Sequence, residues 1–174
     1  MKKKRRPHYL VDGYNLIHVW EEINIDDLAT AREFLIRNLH EYGAYEKFDI
    51  TLVFDAARSE DEERKEIYDD FFRVIYSGAN ETADNVIERL SYEEVQKKRE
   101  VHVVSSDATI ETVILGAGAY RHPSREFYRA GKRAKQHLRK EYMGNVTLPV
   151  KRNEVGDRIG ADVFAKLEKL RRAK

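Results

Sequence analysis

Apolar positions along the chain follow two alternating rhythms. His8-Tyr9-Leu10-Val11-Asp12, Ile50-Thr51-Leu52-Val53-Phe54-Asp55 and Val101-His102-Val103-Val104-Ser105-Ser106-Asp107 are short, largely apolar runs. They have the pattern of strands buried on both faces of a parallel sheet. Between them the period lengthens to that of helices. Leu28, Ala31, Leu35, Leu39 and Tyr42 predict a helix capped by Asp26 or Asp27 and ended by Gly43, and Ala83, Val86, Ile87, Leu90 and Val95 predict another from about Thr82 to Gln96. A shorter helix is expected over Ala108 to Leu115. Phe71 to Tyr76 reads as an edge strand, preceded by the acidic stretch Ser59 to Glu66 and followed by a break at Gly78-Ala79-Asn80. Helical patterns recur over Ser124 to Tyr142 and Asp157 to Arg172, with Met143 to Val155 as the loop between them.

Strands alternating with helices predict βαβ units with right-handed crossovers. The expected architecture is an α/β sandwich, a central and mainly parallel sheet flanked by helices on both faces. No repeat or linker divides the chain, so residues 8–174 are expected to form one domain behind a basic extension, residues 1–7. A length of 174 residues is enough to bury a sizeable core. The absence of cysteine excludes disulfides and thiolate metal sites. The apolar run after Met1-Lys2-Lys3-Lys4-Arg5-Arg6 is too short for a signal peptide or a membrane span, so a cytoplasmic protein is expected.

The three strand-like runs each end in an aspartate, and in open α/β sheets ligands bind outside the carboxyl ends of the strands. Parallel pairing would bring Asp12, Asp55 and Asp107 to that edge, and Asp84, one turn into its helix, could face it too. Each acid also has an ordinary reading. Asp12-Gly13 suits the two-residue turn of a hairpin returning through Leu16 to Trp20. Asn80-Glu81-Thr82-Ala83-Asp84 and Asp107 suit helix capping. The coincidence of four segments favours the shared edge. Two carboxylates about 4 Å apart repel by roughly 4 kcal/mol at an effective dielectric near 20. A hard divalent cation, Mg²⁺ or Mn²⁺, removes that penalty. The histidines show no zinc-type spacing. A hydrated cation on such an edge suits phosphodiester hydrolysis, with the amide of Asn15 available for a metal-bound water or a phosphate oxygen.

Charge sharpens the picture. Residues 7–120 hold 11 Lys and Arg against 25 Asp and Glu, while the two ends together hold 21 against 6, so a net charge of +1 conceals a bipolar chain. Between Arg121 and Lys140 there are eight basic residues and one acid, Glu126. On a helix, Phe127, Ala130, Ala134, Leu138 and Tyr142 form an apolar stripe, and Arg125, Arg129, Lys132, Arg133, Gln136 and Lys140 face away from it. Such a one-signed face, with Arg121 at its head, suits phosphate contacts that weaken with salt and carry little base information.

Asp12-Gly13-Tyr14-Asn15 after the first strand, Glu81-Thr82-Ala83-Asp84 opening a helix and Ser105-Ser106-Asp107 after a later strand together resemble the YacP-type NYN domain, a branch of the PIN-like nucleases. The resemblance runs from about His8 to Leu170. It implies a Rossmann-like PIN fold and divalent-metal endoribonuclease activity. Asp12, Asp84 and Asp107 would be the metal-binding acids with Asn15 beside them, and Asp55 or Glu81 would be a further member. The family includes a ribosome-associated endoribonuclease that cuts messenger RNA in the ribosomal A site, which suggests RNA and the ribosome as partners. Two other classes stay open. One is a non-catalytic RNA- or ribosome-binding protein of the same fold. The other is a haloacid-dehalogenase-type phosphatase, disfavoured because Tyr14 stands where that chemistry needs a second aspartate.

Overall fold

The computed structural model describes residues 5–56 and 62–145. Six strands, β1 (His8–Asp12), β2 (Asp49–Phe54), β3 (Arg64–Ile67), β4 (Phe72–Tyr76), β5 (Val101–Val104) and β6 (Tyr120–His122), form one sheet in the order β3-β4-β2-β1-β5-β6. Every neighbouring pair is parallel except the β3–β4 hairpin. The helices are α1 (Gly13–Val19), α2 (Leu28–Glu46), α3 (Ala83–Gln96), α4 (Thr109–Ala117) and α5 (Ser124–Asn145). By contact density the chain divides into two compact units, Met1–His137 and Leu138–Lys174. Of the second, only residues 138–145, the end of α5, are described. α5 continues through Met143 to Asn145, where the expected loop Met143 to Val155 would begin, and residues 146–155 and the pattern Asp157 to Arg172 lie outside the described residues.

Alternation along the buried strands sorts side chains into two cores, one on each face of the sheet. Tyr9, Val11, Leu52, Phe54, Phe72 and Val74 pack with Leu16 and Ile17 of α1, Leu35 and Leu39 of α2, and Phe127 and Tyr128 of α5. Leu10, Val53, Ile75, Val101 and Val103 face the other way, onto Val86, Ile87 and Leu90 of α3 and Ile110 and Ile114 of α4. This is the α/β sandwich expected from the sequence.

Several boundaries differ from expectation, each for a physical reason. Phe72–Tyr76 is an interior strand, and the sheet ends at β3, whose sequence Arg-Lys-Glu-Ile sits in what reads as an acidic stretch. A short, charged strand is a common means of protecting a sheet edge from mispairing. Gly43 does not end α2. It is buried inside the helix, where a Cβ would come within 2.9 Å of Ile50 Cδ1. Glycine there lets α2 approach the sheet closely, and Lys47, in the left-handed conformation at φ 60°, closes the helix. The hairpin reading of Asp12-Gly13 is excluded, because Gly13–Val19 is helical and β1 pairs in parallel with β2 and β5. Among the described residues no helix is long and apolar enough to cross a membrane.

At the amino edge of the sheet lies a buried polar network. His8 is fully buried, with Nδ1 3.3 Å from a Glu94 carboxylate oxygen and Nε2 2.8 Å from the Thr51 hydroxyl, which also accepts from Arg73. Glu94 further receives Lys97 at 2.9 Å and Arg99 at 2.9 Å. Burial, with the nearby Arg99 charge, lowers the His8 pKa to about 4. Burial alone would raise Glu94, but donation from Lys97, the neighbouring His8 and Arg99 together pull it to about 2.

Candidate metal and nucleic-acid site

The chain runs outward from β1 to β2 and β4, then returns to place β5 on the other flank of β1. The strand order therefore reverses at β1, and its carboxyl end is the place where an α/β sheet opens a crevice. Asp12 ends β1 there. Its Oδ1 accepts from the Asn15 backbone N–H at 3.0 Å, so it is also the N-cap of α1. Asp55 follows β2 directly, Asp107 ends the loop after β5, and Asp84 lies in the first turn of α3, whose N-cap is Thr82.

Electrostatics ties the acids together. Burial raises the Asp12 carboxyl above its ordinary pKa, and the charges of Asp84 and Asp55 push it the same way against the hydrogen bonds from Asn15. Asp84 is raised by burial first, then by the charges of Asp107 and Asp55. Asp107 is held down by the backbone N–H of Thr109 (2.8 Å) and its hydroxyl (2.9 Å), with Arg121 adding a smaller pull. Asp55 supplies a different observation: its Oδ1 is buried and has no hydrogen-bond partner among the described residues. A buried, unsatisfied carboxylate oxygen beside other acids is the kind of group a divalent cation would satisfy, since leaving it unpaired is costly. The donor set is all oxygen, which fits Mg²⁺ or Mn²⁺. Among the described residues, no three Asp, Glu or His side chains are gathered tightly enough to hold an ion as they stand. The acids share an edge without closing on a point.

Glu81 is not part of this group. Both its oxygens face Arg89, at 3.3 and 3.4 Å, and Arg89 also binds Glu63 at 2.6 Å. Asn15 does something the sequence could not reveal. Its Oδ1 accepts from the Ser106 N–H at 3.1 Å and from the Ser124 hydroxyl at 3.3 Å, so one side chain ties α1 to the β5 loop and to the start of α5. Ser106 in turn accepts the Ser124 N–H through its hydroxyl at 3.2 Å. Ser124 is completely buried, and nothing in its sequence context marks it as part of the site.

That tie carries the basic helix to the acidic edge. Arg125, Arg129 and Arg133 are exposed at intervals of four residues along α5, about 6 Å apart by helix geometry. They make no ion pair among the described residues. Lys132 is differently placed: Glu21 at 3.2 Å, Glu22 at 3.3 Å and the Tyr128 hydroxyl at 3.1 Å surround its ammonium group. Arg121 stands on β6 beside Asp107 and pairs with Glu111 at 3.2 Å. Lys140 belongs to the second unit.

A family model described as the YacP-like NYN domain matches residues 9–172. The uncharacterized protein YacP of Bacillus subtilis (strain 168) is 36% identical over 123 residues, covering 69% of this chain and 72% of that protein. The crystal structure of Rae1 (YacP) from Bacillus subtilis superposes with a TM-score of 0.67 at 29% identity, over 95% of this chain and 94% of that one. A mutant form of the same protein gives a TM-score of 0.66 at 30% identity, over 80% and 83% of the two chains.

Proposed function

Because the chain belongs to the YacP-like NYN family, we propose that it is a divalent-metal-dependent endoribonuclease whose substrate is messenger RNA presented on the ribosome. The observation that carries the catalytic part is the unsatisfied, buried Asp55 Oδ1 on the same edge as the mutually repelling Asp12 and Asp84. The messenger and ribosomal part follows the resemblance of the three sequence motifs.

Asp12, Asp84 and Asp107 would hold the ion, with Asp55 as the added ligand in preference to the Arg89-bound Glu81. A bound Mg²⁺ or Mn²⁺ would acidify a water and neutralise charge developing on the phosphoryl oxygens. The chain's own residues do the rest. The Asn15 N–H fixes the Asp12 carboxylate, and the Asn15 side chain keeps the β5 loop and the head of α5 in register with it. Arg125, Arg129 and Arg133 then offer positive charge leading away from the acids, and Arg121 supplies a cation at the acidic edge itself. Backbone contacts of this kind set the position of a strand without reading its sequence.

The test is cleavage of a single-stranded RNA under Mg²⁺ or Mn²⁺ titration, with Asp84→Asn as control. The expected result is product that requires metal, vanishes with chelator and falls by on the order of a hundredfold in the variant, as when one electrostatic contributor to a transition state is removed. A second reading, an RNA-binding protein without turnover, is favoured by one observation: the acids are not closed around a common point. It would be identified by salt-sensitive RNA association with no metal-dependent product.

A further inference from the structure

On the opposite flank of the acids from α5, a cavity of about 870 Å³ opens between α2 and the β3–β4 hairpin. Its volume lies within the range of about 300–1,000 Å³ usual for small-ligand sites. Ala56, the residue after Asp55, lines it together with Ser77, Tyr76, Arg32 and Arg64. The Ala56 N–H donates to the Ser77 hydroxyl at 3.1 Å, so the cavity wall is continuous with the segment that holds the unsatisfied carboxylate.

The wall at Tyr76 and Arg64 is the outer end of a layered stack. Tyr14 meets the ring of Phe54 edge-on at 5.2 Å, Phe54 stacks on Tyr76 at 5.6 Å with 24° between planes, and the Arg64 guanidinium lies over Tyr76 at 4.2 Å. Phe54 is fully buried, Tyr76 is half-buried, and the Arg64 side chain is 63% exposed, so the stack runs from core to solvent. Arg32 donates to the Tyr14 hydroxyl at 3.2 Å and has no carboxylate partner among the described residues. The other cations of the cavity are committed, Lys65 to Glu63 and Arg64 to Glu66.

We propose that this cavity is a subsite for one unpaired nucleotide next to the acidic edge, its base stacked on the Tyr76–Arg64 layer and its phosphate held by Arg32. Planar guanidinium and aromatic faces are the surfaces on which proteins stack unpaired RNA bases. Glu33 and Glu62 on the rim, without a cation partner among the described residues, repel a run of phosphates, so the cavity takes one nucleotide rather than a duplex backbone. A base must leave its helix to enter, which makes the site a selector for single strands. The inference rests on the nuclease reading for its placement beside the scissile phosphate, but base stacking can be measured without turnover.

The experiment measures binding of a fluorescent single-stranded oligoribonucleotide to the full chain in chelator. It compares wild type with Arg32→Ala, Arg64→Ala and Arg64→Lys, each first shown by circular dichroism to be folded. Arg64→Ala and Arg64→Lys are expected to bind about tenfold more weakly, the scale of one lost base stack. Arg32→Ala should lower the salt slope by about one phosphate contact. Replacing the bases one at a time with abasic sites should find a position that costs wild type the same factor and costs Arg64→Lys nothing further. Wild-type affinity in Arg64→Lys, abasic losses that persist in that variant, or no binding of single strands overturns the subsite. If these differences hold but the wild type yields no metal-dependent product, the nuclease reading falls and the subsite stands. If cleavage occurs and the differences are absent, the subsite alone falls.

Discussion

Asp12 caps α1 through Oδ1 and adds charge to an edge already crowded with acids. Asp12→Asn separates the two roles, because asparagine caps a helix as well as aspartate does. Removing one negative charge from the repelling group is expected to stabilise the metal-free protein by on the order of 1 kcal/mol, about 2–4 °C in melting temperature for a chain of this length. RNA cleavage should fall by on the order of a hundredfold in the same variant. Thermal melts in chelator check the first half, and an unchanged melting temperature would mean that the acids do not feel one another. The neighbouring Gly13 makes the opposite kind of demand. A Cβ there would overlap the ring of Phe54, which is fully buried and cannot swing aside. Gly13→Ala should cost about 1–3 kcal/mol of stability, the usual penalty of overpacking. Gly43→Ala meets the buried Ile50 at Cδ1 (2.9 Å) and Cγ1 (3.3 Å) and Phe71 Cε2 at 3.4 Å, a milder clash partly offset by helix propensity, so it should cost less than Gly13→Ala. Urea midpoints of the two variants give the comparison.

At the scale of elements, α5 discriminates between charge that is present and charge that is available. Arg125 and Arg129 are exposed, whereas Lys132 is held by Glu21, Glu22 and Tyr128. The double variant Arg125→Ala, Arg129→Ala should reduce the slope of log affinity for RNA against log salt by about two contacts, and Lys132→Ala should leave it nearly unchanged. Equal slopes for both variants would show that the pairing of Lys132 does not matter to the ligand. The amphipathic stripe of α5 was readable because Phe127, Ala130 and Ala134 recur at helical spacing, and Phe127 and Ala134 are buried; the burial of Tyr128 beside them was not. The strands ending at Asp12, at Phe54 and at Val104 were readable for the related reason that continuous apolar runs need burial on both faces. Where local chemistry and tertiary context part, the sequence was ambiguous. Arg64–Ile67 looks like a polar loop because an edge strand is stabilised by its partner, not by its own side chains. Tyr120–His122 is three residues of mixed polarity, given strand form only by pairing with β5. The glycine of Asp12-Gly13 signals a turn in any local reading, and only the nearness of Phe54 shows that its purpose is close packing. Among the candidate site residues, Asp12, Asp55 and Asp107 could be nominated from strand ends and Asp84 from a helix start. The commitment of Glu81 to Arg89 and the bracing by Asn15 depend on partners distant in sequence, and no spacing rule reveals them.

The whole molecule keeps opposite electrostatic regimes at the two edges of its sheet. At the carboxyl edge Asp55 and Asp84 push the Asp12 carboxyl upward by repulsion. At the amino edge His8, Glu94, Arg99, Lys97 and Asp49 form a network of opposite charges, with Arg99 bridging Glu94 and Asp49. That second edge governs acid stability. His8 is neutral when folded, with its pKa lowered from 6.5 to about 4, so between those values the unfolded chain binds a proton that the folded chain does not. Stability from this group is complete above about pH 6.5 and drains away as pH falls toward 4, by roughly 3 kcal/mol for a shift of this size. Glu94, lowered from 4.5 to about 2, continues the loss below pH 4.5, because the unfolded chain takes up its proton there while the folded carboxylate stays charged. His8→Gln removes the first of these steps while keeping a side chain able to hydrogen-bond. The variant should be less stable than wild type at pH 7, where the imidazole's fitted bonds to Thr51 and Glu94 are lost, and its stability should change much less between pH 6.5 and 4.5. Urea denaturation across that range is the measurement. A wild-type slope that survives the substitution would place the proton uptake elsewhere, in the half-buried His122, whose pKa burial also lowers, or in the acids of the opposite edge.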